Sequence, residues 1–136
     1  MTRLEDLPDA VKRAHAILEL DDSIFAVGII SNSGEPLGAA SRESFRKDKF
    51  EEQWGLGKFT EKWTTEAFRS ATIVASARAN EKILSRLEAI IMIREKFNII
   101  LLSLLPQEPI IIAAIFEKNI DGQILCRKIL NYMKTL

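Results

Sequence analysis

The stretch FAVGIISNSGEPLGAAS, residues 25–41, places three glycines among serines, a composition that also occurs in loops that bind phosphate. A phosphate-binding P-loop has the pattern G-x-x-x-x-G-K-[ST] between a strand and a helix. Gly28 and Gly34 lie six positions apart, Glu35 follows where lysine is needed, and a second strand comes next. The stretch therefore predicts a β-hairpin in which Gly34 takes a positive φ, while Gly28 and Gly38 allow close approach of a neighbouring backbone or side chain.

A second glycine pair, Gly55 and Gly57, lies in WGLGKFT just before a predicted helix, with Lys58 nearby. Helix N-termini attract anions, so one interpretation is an anion site. The other is that these glycines end one short helix before the next begins, and this interpretation is favoured because the signal is so short.

Nucleophiles and acids form no catalytic pattern. Cys126 and His15 are the only residues of their types, and Cys126 lies between predicted core positions, where a thiol acts as a small hydrophobic group. The paired carboxylates Asp21–Asp22 and Glu51–Glu52 lie in polar segments, where nothing raises a carboxyl pKa. We therefore expect no catalytic residue, no metal site, no cofactor and no enzymatic activity.

Composition limits the class of protein. The 136 residues fit one domain, residues 1–136, and 19 basic residues balance 19 acidic ones, which excludes the broad positive field of a nucleic-acid binder. One cysteine permits no intramolecular disulfide, as expected in a reducing compartment. The apolar run IILLSLLPQEPIIIAAIF is split at residues 106–109 into pieces too short to span a bilayer. These features predict a cytoplasmic protein without a membrane span.

Hydrophobic spacing predicts three main helices, over residues 6–20, 60–84 and from about 121 to the end, the last capped by Asn119 or Asp121. The middle helix carries the small-residue segment SATIVASARA, which suits close packing. The inward residues expected of the first helix are Leu7, Val11, Ala14 and Leu18. Those expected of the middle helix include Ala67, Ala71 and Val74. Those of the last helix are Ile124 or Leu125, Ile129, Met133 and Leu136.

Five strands complete the pattern. IFAVGII (24–30) is apolar on both faces, which indicates an inner strand, and PLGAAS (36–41) begins with Pro36, which favours an edge or a strand start. Three isoleucine-rich runs at 88–95, 97–105 and 109–118 follow with links too short for crossovers, so they predict an antiparallel meander.

A polar insertion at about 42–58 separates the second strand from the long helix. Trp54, Phe59 and Trp63 lie in or beside it and could line a ligand cleft or contact a partner, since aromatic residues dominate interface hot spots. The alternative is that they fold the insertion back onto the core.

The whole order, α-β-β-α-β-β-β-α, predicts an α+β domain, an α/β/α sandwich around a five-stranded antiparallel sheet. With FAVGIISNSGEPLGAAS as the first hairpin and IIMIREKFNIILLSLLPQEPIIIAAIFEKN as the meander, it resembles the Roadblock (dynein light chain) superfamily and its longin and profilin-like relatives. It is also similar to small uncharacterised archaeal proteins. The insertion departs from the family pattern, in which the corresponding connection is short.

The resemblance implies a non-enzymatic homodimer that binds or regulates another protein, commonly a small GTPase or a larger signalling complex. In that family the long helix and an adjacent strand form the dimer face. The matching residues here are Phe68, Ala71, Thr72, Ala75, Arg78, Ile91 and Ile93. The alternative function is a PAS-like or profilin-like small-molecule sensor, whose pocket the first hairpin and the aromatic cluster at 54–63 would shape.

Overall fold

A computed structural model describes residues 7–43, 61–105 and 107–135, with the backbone alone at 7–8 and 61–65. The described chain folds into helices and strands in the predicted order. These are α1 (Leu7–Leu18), β1 (Ile24–Ser31), β2 (Pro36–Ser41), α2 (Glu61–Arg78), α3 (Glu81–Leu84), β3 (Ala89–Ile93), β4 (Phe97–Ser103), β5 (Ile110–Glu117) and α4 (Gly122–Lys134). The single helix predicted over 60–84 is divided, because α2 ends at Arg78 and the short α3 follows.

The strands form one sheet in the order β2-β1-β5-β4-β3, and every neighbouring pair is antiparallel. The inner position of β1 and the β3–β4–β5 meander are therefore confirmed. Pro36 begins the edge strand β2, where its missing N–H costs no ladder hydrogen bond. Among the described residues, β2 and β3 are the two edges of the sheet.

One face of the sheet packs against α1 and α4. The inward prediction for α1 was wrong at Val11, which is exposed, because the face that meets the sheet is formed by Ala10, Ala14, Ile17 and Leu18. On α4 the structure chooses Leu125 over Ile124, which is 67% exposed. Ile129 is buried as predicted, and Met133 packs at the margin of the same core.

The opposite face packs against α2. Ala67, Ala71 and Val74 are buried there, as the spacing predicted. They lie over Ile30 and Leu101 in the sheet. Two alanines at the contact bring the helix axis close to the strands, so the three layers of the predicted α/β/α sandwich are present. None of the helices in the described ranges combines the length and apolar composition needed to cross a membrane.

Gly38 explains why α1 is rotated away from the predicted face. A Cβ at residue 38 would lie 2.7 Å from the carbonyl carbon of Ala10 and 2.7 Å from the amide nitrogen of Val11. The backbone of α1 thus rests directly on β2, and only a glycine in the strand leaves room for it. Ala10 is consequently turned into the core and Val11 outward.

The loop between α1 and β1 is held by polar contacts from distant parts of the chain. Arg42 donates from Nε to the Ile24 carbonyl (2.7 Å) and from Nη2 to the carbonyls of Leu18 (2.6 Å) and Asp21 (2.9 Å). These carbonyls include one left unpaired at the end of α1. The side chain of Asp21 accepts from Ser23 N and Oγ (2.9 and 2.7 Å) and from Lys128 Nζ on α4 (3.1 Å).

Of the two residues predicted as alternative caps of the last helix, Asn119 and Asp121, it is Asp121 that caps α4. Its side chain accepts hydrogen bonds from the backbone N–H groups of Gln123 (2.9 Å) and Ile124 (3.4 Å). The side chain thereby pairs two of the N–H groups that a helix start leaves free.

The Gly38 contact makes a first prediction. Gly38→Ala is expected to lower the free energy of unfolding by about 1–3 kcal/mol, because the added methyl meets backbone atoms of α1 that cannot rotate away. Urea denaturation measures this. Ala39→Ser, at the next and half-buried position of the same strand, is the control and should change stability much less. Equal losses in the two variants would contradict the close-packing explanation.

The hydrogen bonds of Asp21 predict how the stability of the fold depends on pH. Hydrogen bonds from the Ser23 side chain and backbone, followed by that from Lys128, lower the pKa of Asp21 from 3.8 to about 2. Because the folded carboxyl is more acidic than the unfolded one, its stabilising effect is complete above about pH 4 and is lost as the pH falls towards 2. The stability advantage of the wild type over Asp21→Asn should shrink across this window in urea titrations.

Asp22→Asn, at the exposed neighbouring position, is the control for the change in net charge and should track the wild type. A difference between the wild type and Asp21→Asn that stays constant between about pH 5 and pH 2 would contradict the assignment.

Candidate functional site

The edge strand β3 presents an open backbone. Ser103 N donates to the Glu88 carbonyl (3.0 Å), which sets the phase of the ladder between β3 and β4. In an antiparallel pair, successive residues alternate between bonding the neighbour and pointing away from it. Ala89, Ile91 and Ile93 therefore direct their N–H and C=O groups away from β4, toward the side where the described part of the chain places no further strand.

The side chains of β3 are apolar as well. Ile93 is 77% exposed and Ile91 36% exposed on the side of the sheet that carries α4. Ile90 and Met92 point the other way and pack at the margin of the α2 core. The strand AIIMI contains no charge and no proline, the devices by which edge strands usually avoid pairing. This edge can therefore accept another strand.

The outer face of α2 lies on the same side of the sheet as Ile90 and Met92. Phe68 is 62% exposed although its backbone contacts Gly34, and Thr72 and Ala75 are exposed one turn apart along the helix. The Thr72 hydroxyl donates to the Phe68 carbonyl (2.9 Å), so it is satisfied within the helix. Ile73, 41% exposed, is a surface residue that the sequence interpretation did not include.

The predicted interface residues divide in the structure. Phe68, Thr72, Ala75, Ile91 and Ile93 are at the surface, and α2 and β3 meet in one hydrophobic cluster through Val74, Ile90 and Met92. The other two predicted interface residues already make contacts within the domain. Ala71 is only 5% exposed and packs inside its own domain, and Arg78 pairs with Glu81. That these residues form a dimer face stays a prediction.

The segment between α2 and β3 is tied in place by Glu81. Its carboxylate accepts from Arg78 Nε (3.1 Å) and from the backbone N–H of Leu87 (2.8 Å). Ile83 and Leu84 are left exposed on α3. Sequence spacing assigned them to the long helix and so gave no signal that they protrude. The Glu81 contacts fix where β3 begins relative to α2.

The glycine-rich stretch at residues 25–41 forms a β-hairpin, and Gly34 lies in its turn. Gly34 has φ +93°, and its N–H donates to the Ser31 carbonyl (3.0 Å). The Ser31 N–H donates to the Glu35 carbonyl (2.9 Å), and the Ser31 hydroxyl accepts from the Glu35 N–H (3.0 Å). A Cβ on residue 34 would lie 2.9 Å from Phe68 Cα, so glycine serves both the turn and the approach of α2. The groups that could have held an anion bond each other.

Other sequence candidates have structural roles or lie outside the described residues. Burial, with a smaller effect of the Asp121 charge, raises the pKa of the Cys126 thiol to about 11, which suits a core residue and disfavours a nucleophile. His15 is exposed on α1. In the described ranges, no group of three or more His, Cys, Asp or Glu side chains could hold a metal ion. Other candidates lie beyond the described side chains. These are Gly55, Gly57, Trp54, Phe59 and the side chain of Trp63.

The insertion and its aromatic residues carried the small-molecule sensor hypothesis, which therefore stays a prediction. Hydrogen bonds from Ser23 and Lys128 lower the pKa of Asp21, whereas a carboxyl in acid–base catalysis near neutral pH needs a raised pKa, so Asp21 is not a candidate for that role. The surface formed by β3 and the outer face of α2 is the candidate functional site.

Comparison with solved structures identifies the fold. The chain has the fold of Roadblock/LC7 domains, and a Roadblock/LC7 domain from Streptomyces avermitilis matches with a TM-score of 0.67 over 92% of each chain at 6% identity. MglB in a tetrameric arrangement matches with a TM-score of 0.65 at 14% identity, over 95% of this chain and 82% of that one. Myxococcus xanthus MglB matches with a TM-score of 0.64 at 10% identity, over 99% of this chain and 94% of that one. No family model and no curated protein matches the sequence.

Proposed function

We propose that this chain is a non-enzymatic interaction module that works as a homodimer and binds a regulatory protein partner. The observation that carries the proposal is β3, an edge strand with outward backbone groups, exposed isoleucines and no charge. An open edge of this kind pairs readily with another strand. The β3 strand of a second copy has the same open edge, so the two strands can pair about a two-fold axis.

The outer face of α2 extends this surface. A two-fold axis at the β3 edge would bring the α2 helices of both copies onto the same side of the enlarged sheet, where Thr72 and Ala75 are small enough for close packing. Phe68 and Ile73 would supply larger apolar contacts. The fold likeness supports this proposal, since one of the matching MglB structures has a tetrameric arrangement.

The resemblance to the Roadblock group supports a small GTPase as the partner. The GTPase would bind the dimer, which presents a larger surface than a single copy does. The part of the proposal that concerns the GTPase is separable from dimerisation and is tested separately.

Dimerisation is tested by Ile93→Lys, which places a charge on the open edge. We expect the wild type to sediment as a dimer at micromolar concentration, and the dimer of the variant to dissociate about tenfold more readily or more, because lysine must be desolvated at the new strand pair. Val11→Lys is the matched control, since Val11 is exposed on α1, which rests on β2 at the opposite edge of the sheet. A wild type that stays monomeric at high micromolar concentration would contradict the proposal.

The GTPase partner is tested by titrating the purified dimer into small GTPases loaded with GDP or with a non-hydrolysable GTP analogue, with heat of binding as the readout. Binding that differs between the two nucleotide states supports a regulatory role, because only a differential affinity can shift a two-state switch. If no heat of binding is measured with either nucleotide state, the result contradicts the proposed GTPase partner but not the proposed homodimer.

A further inference from the structure

We propose that β3 pairs with β3 of a second copy in a single register, with Ile91 on the two-fold axis and Glu88 of each copy opposite Arg94 of the partner subunit. This inference rests on the proposed homodimer and adds what selects its geometry. It makes two symmetry-related ion pairs the determinant of the register.

The backbone favours this register. Ala89, Ile91 and Ile93 carry the outward N–H and C=O groups, so an axis at Ile91 places residue 89 opposite the partner's Ile93 and uses all three positions on both strands. An axis at Ile90 or Met92 also matches outward groups with outward groups, but it aligns only two of the three and leaves the third beyond the end of the opposite strand.

The side chains agree with the backbone. On the α4 side, Ile93, the most exposed residue of the strand, would lie opposite the partner's Ala89, a large side chain against a small one. On the α2 side, Ile90 would lie opposite the partner's Met92, and both already pack against the core of their own domain. Directly opposed apolar side chains of this kind stabilise an antiparallel pair.

The charges disfavour one of the two alternative registers. Glu88 and Arg94 flank the strand, and by strand alternation both lie on the α2 side with Ile90 and Met92. With the axis at Ile91 they face each other across the pair. With the axis at Ile90, Arg86 would face the partner's Arg94, and like charges directly opposite are unfavourable.

Both charged residues are placed to make this contact. The Glu88 side chain is 65% exposed, and its one ion pair among the described residues is a 4.0 Å contact with Arg86. The Arg94 backbone is held on both sides, with its N–H donating to Asn98 Oδ1 (3.3 Å) and its carbonyl accepting from Lys118 Nζ (2.5 Å). Asn98 is itself buried and bonds the Lys118 carbonyl. The guanidinium of Arg94 thus extends from a fixed main chain.

Charge exchange tests the ion pairs. Glu88→Arg and Arg94→Glu are each expected to raise the dimer dissociation constant about tenfold, because each replaces two attractions by two repulsions, and the double exchange should return it to within about threefold of the wild type. Arg127→Glu, at an exposed position on α4, is the control for net charge. Single variants without effect, or a double exchange that fails to restore, would overturn the pairing.

Single cysteines test the register independently of charge. With the axis at Ile91, the two copies of residue 91 have Cα atoms about 5.5 Å apart, within the range of a disulfide. Ile91→Cys should therefore cross-link under mild oxidation, whereas Ile90→Cys and Met92→Cys face their own copies diagonally at about 7–8 Å and should not. The wild type is the background control, because Cys126 is buried.

These outcomes separate the two proposals. A monomeric wild type contradicts the homodimer. A dimer that cross-links through Ile90→Cys or Met92→Cys, or through none of the three, keeps the homodimer and overturns the register. Cross-linking through Ile91→Cys together with restoration by the double exchange supports the register and the ion pairs.

Discussion

Both faces of the five-stranded sheet are hydrophobic, and the rest of the structure depends on covering them. α1 and α4 bury one face and α2 buries the other, so the sheet becomes the middle of three layers. Helices can cover faces, but they do not pair the backbone groups along an edge. This packing therefore leaves two edges, β2 and β3. The candidate functional site lies at β3, because this edge carries exposed isoleucines, whereas every residue of β2 is buried or half-buried.

Small residues at defined points allow α1 and α2 to lie close to the sheet. Gly38 lets the backbone of α1 rest on β2, Gly34 lets α2 pass over the first turn, and Ala67 and Ala71 bring α2 down onto the strands. Gly34 and Gly38 are thus required by packing and turn geometry. The Ser31 and Glu35 groups beside Gly34 are bonded to each other.

Polar contacts between separate elements fix the loops, including those at both ends of β3. Arg42 and Asp21 join the end of α1 to β1, β2 and α4, and Glu81 joins the end of α2 to the segment before β3. Asn98 ties the turn after β3 to the end of β5. Because both ends of β3 are tied to other elements, the strand is held in one position.

The sequence by itself determined the element order, the two-sided burial of β1, the hairpin turn at Gly34, the meander and the buried face of α2, because these depend on spacing and turn chemistry within short segments. It also indicated most of the surface residues of α2 and β3, through resemblance to a family. It could not tell which of two overlapping faces of α1 turns inward, because Val11 and Ala10 both fit a helical stripe and Gly38, far along the chain, decides between them. Nor could it show that Arg78 is paired with Glu81, or which backbone groups of β3 point outward. Those depend on the phase of pairing with β4 and on contacts between distant residues, which only the tertiary structure decides.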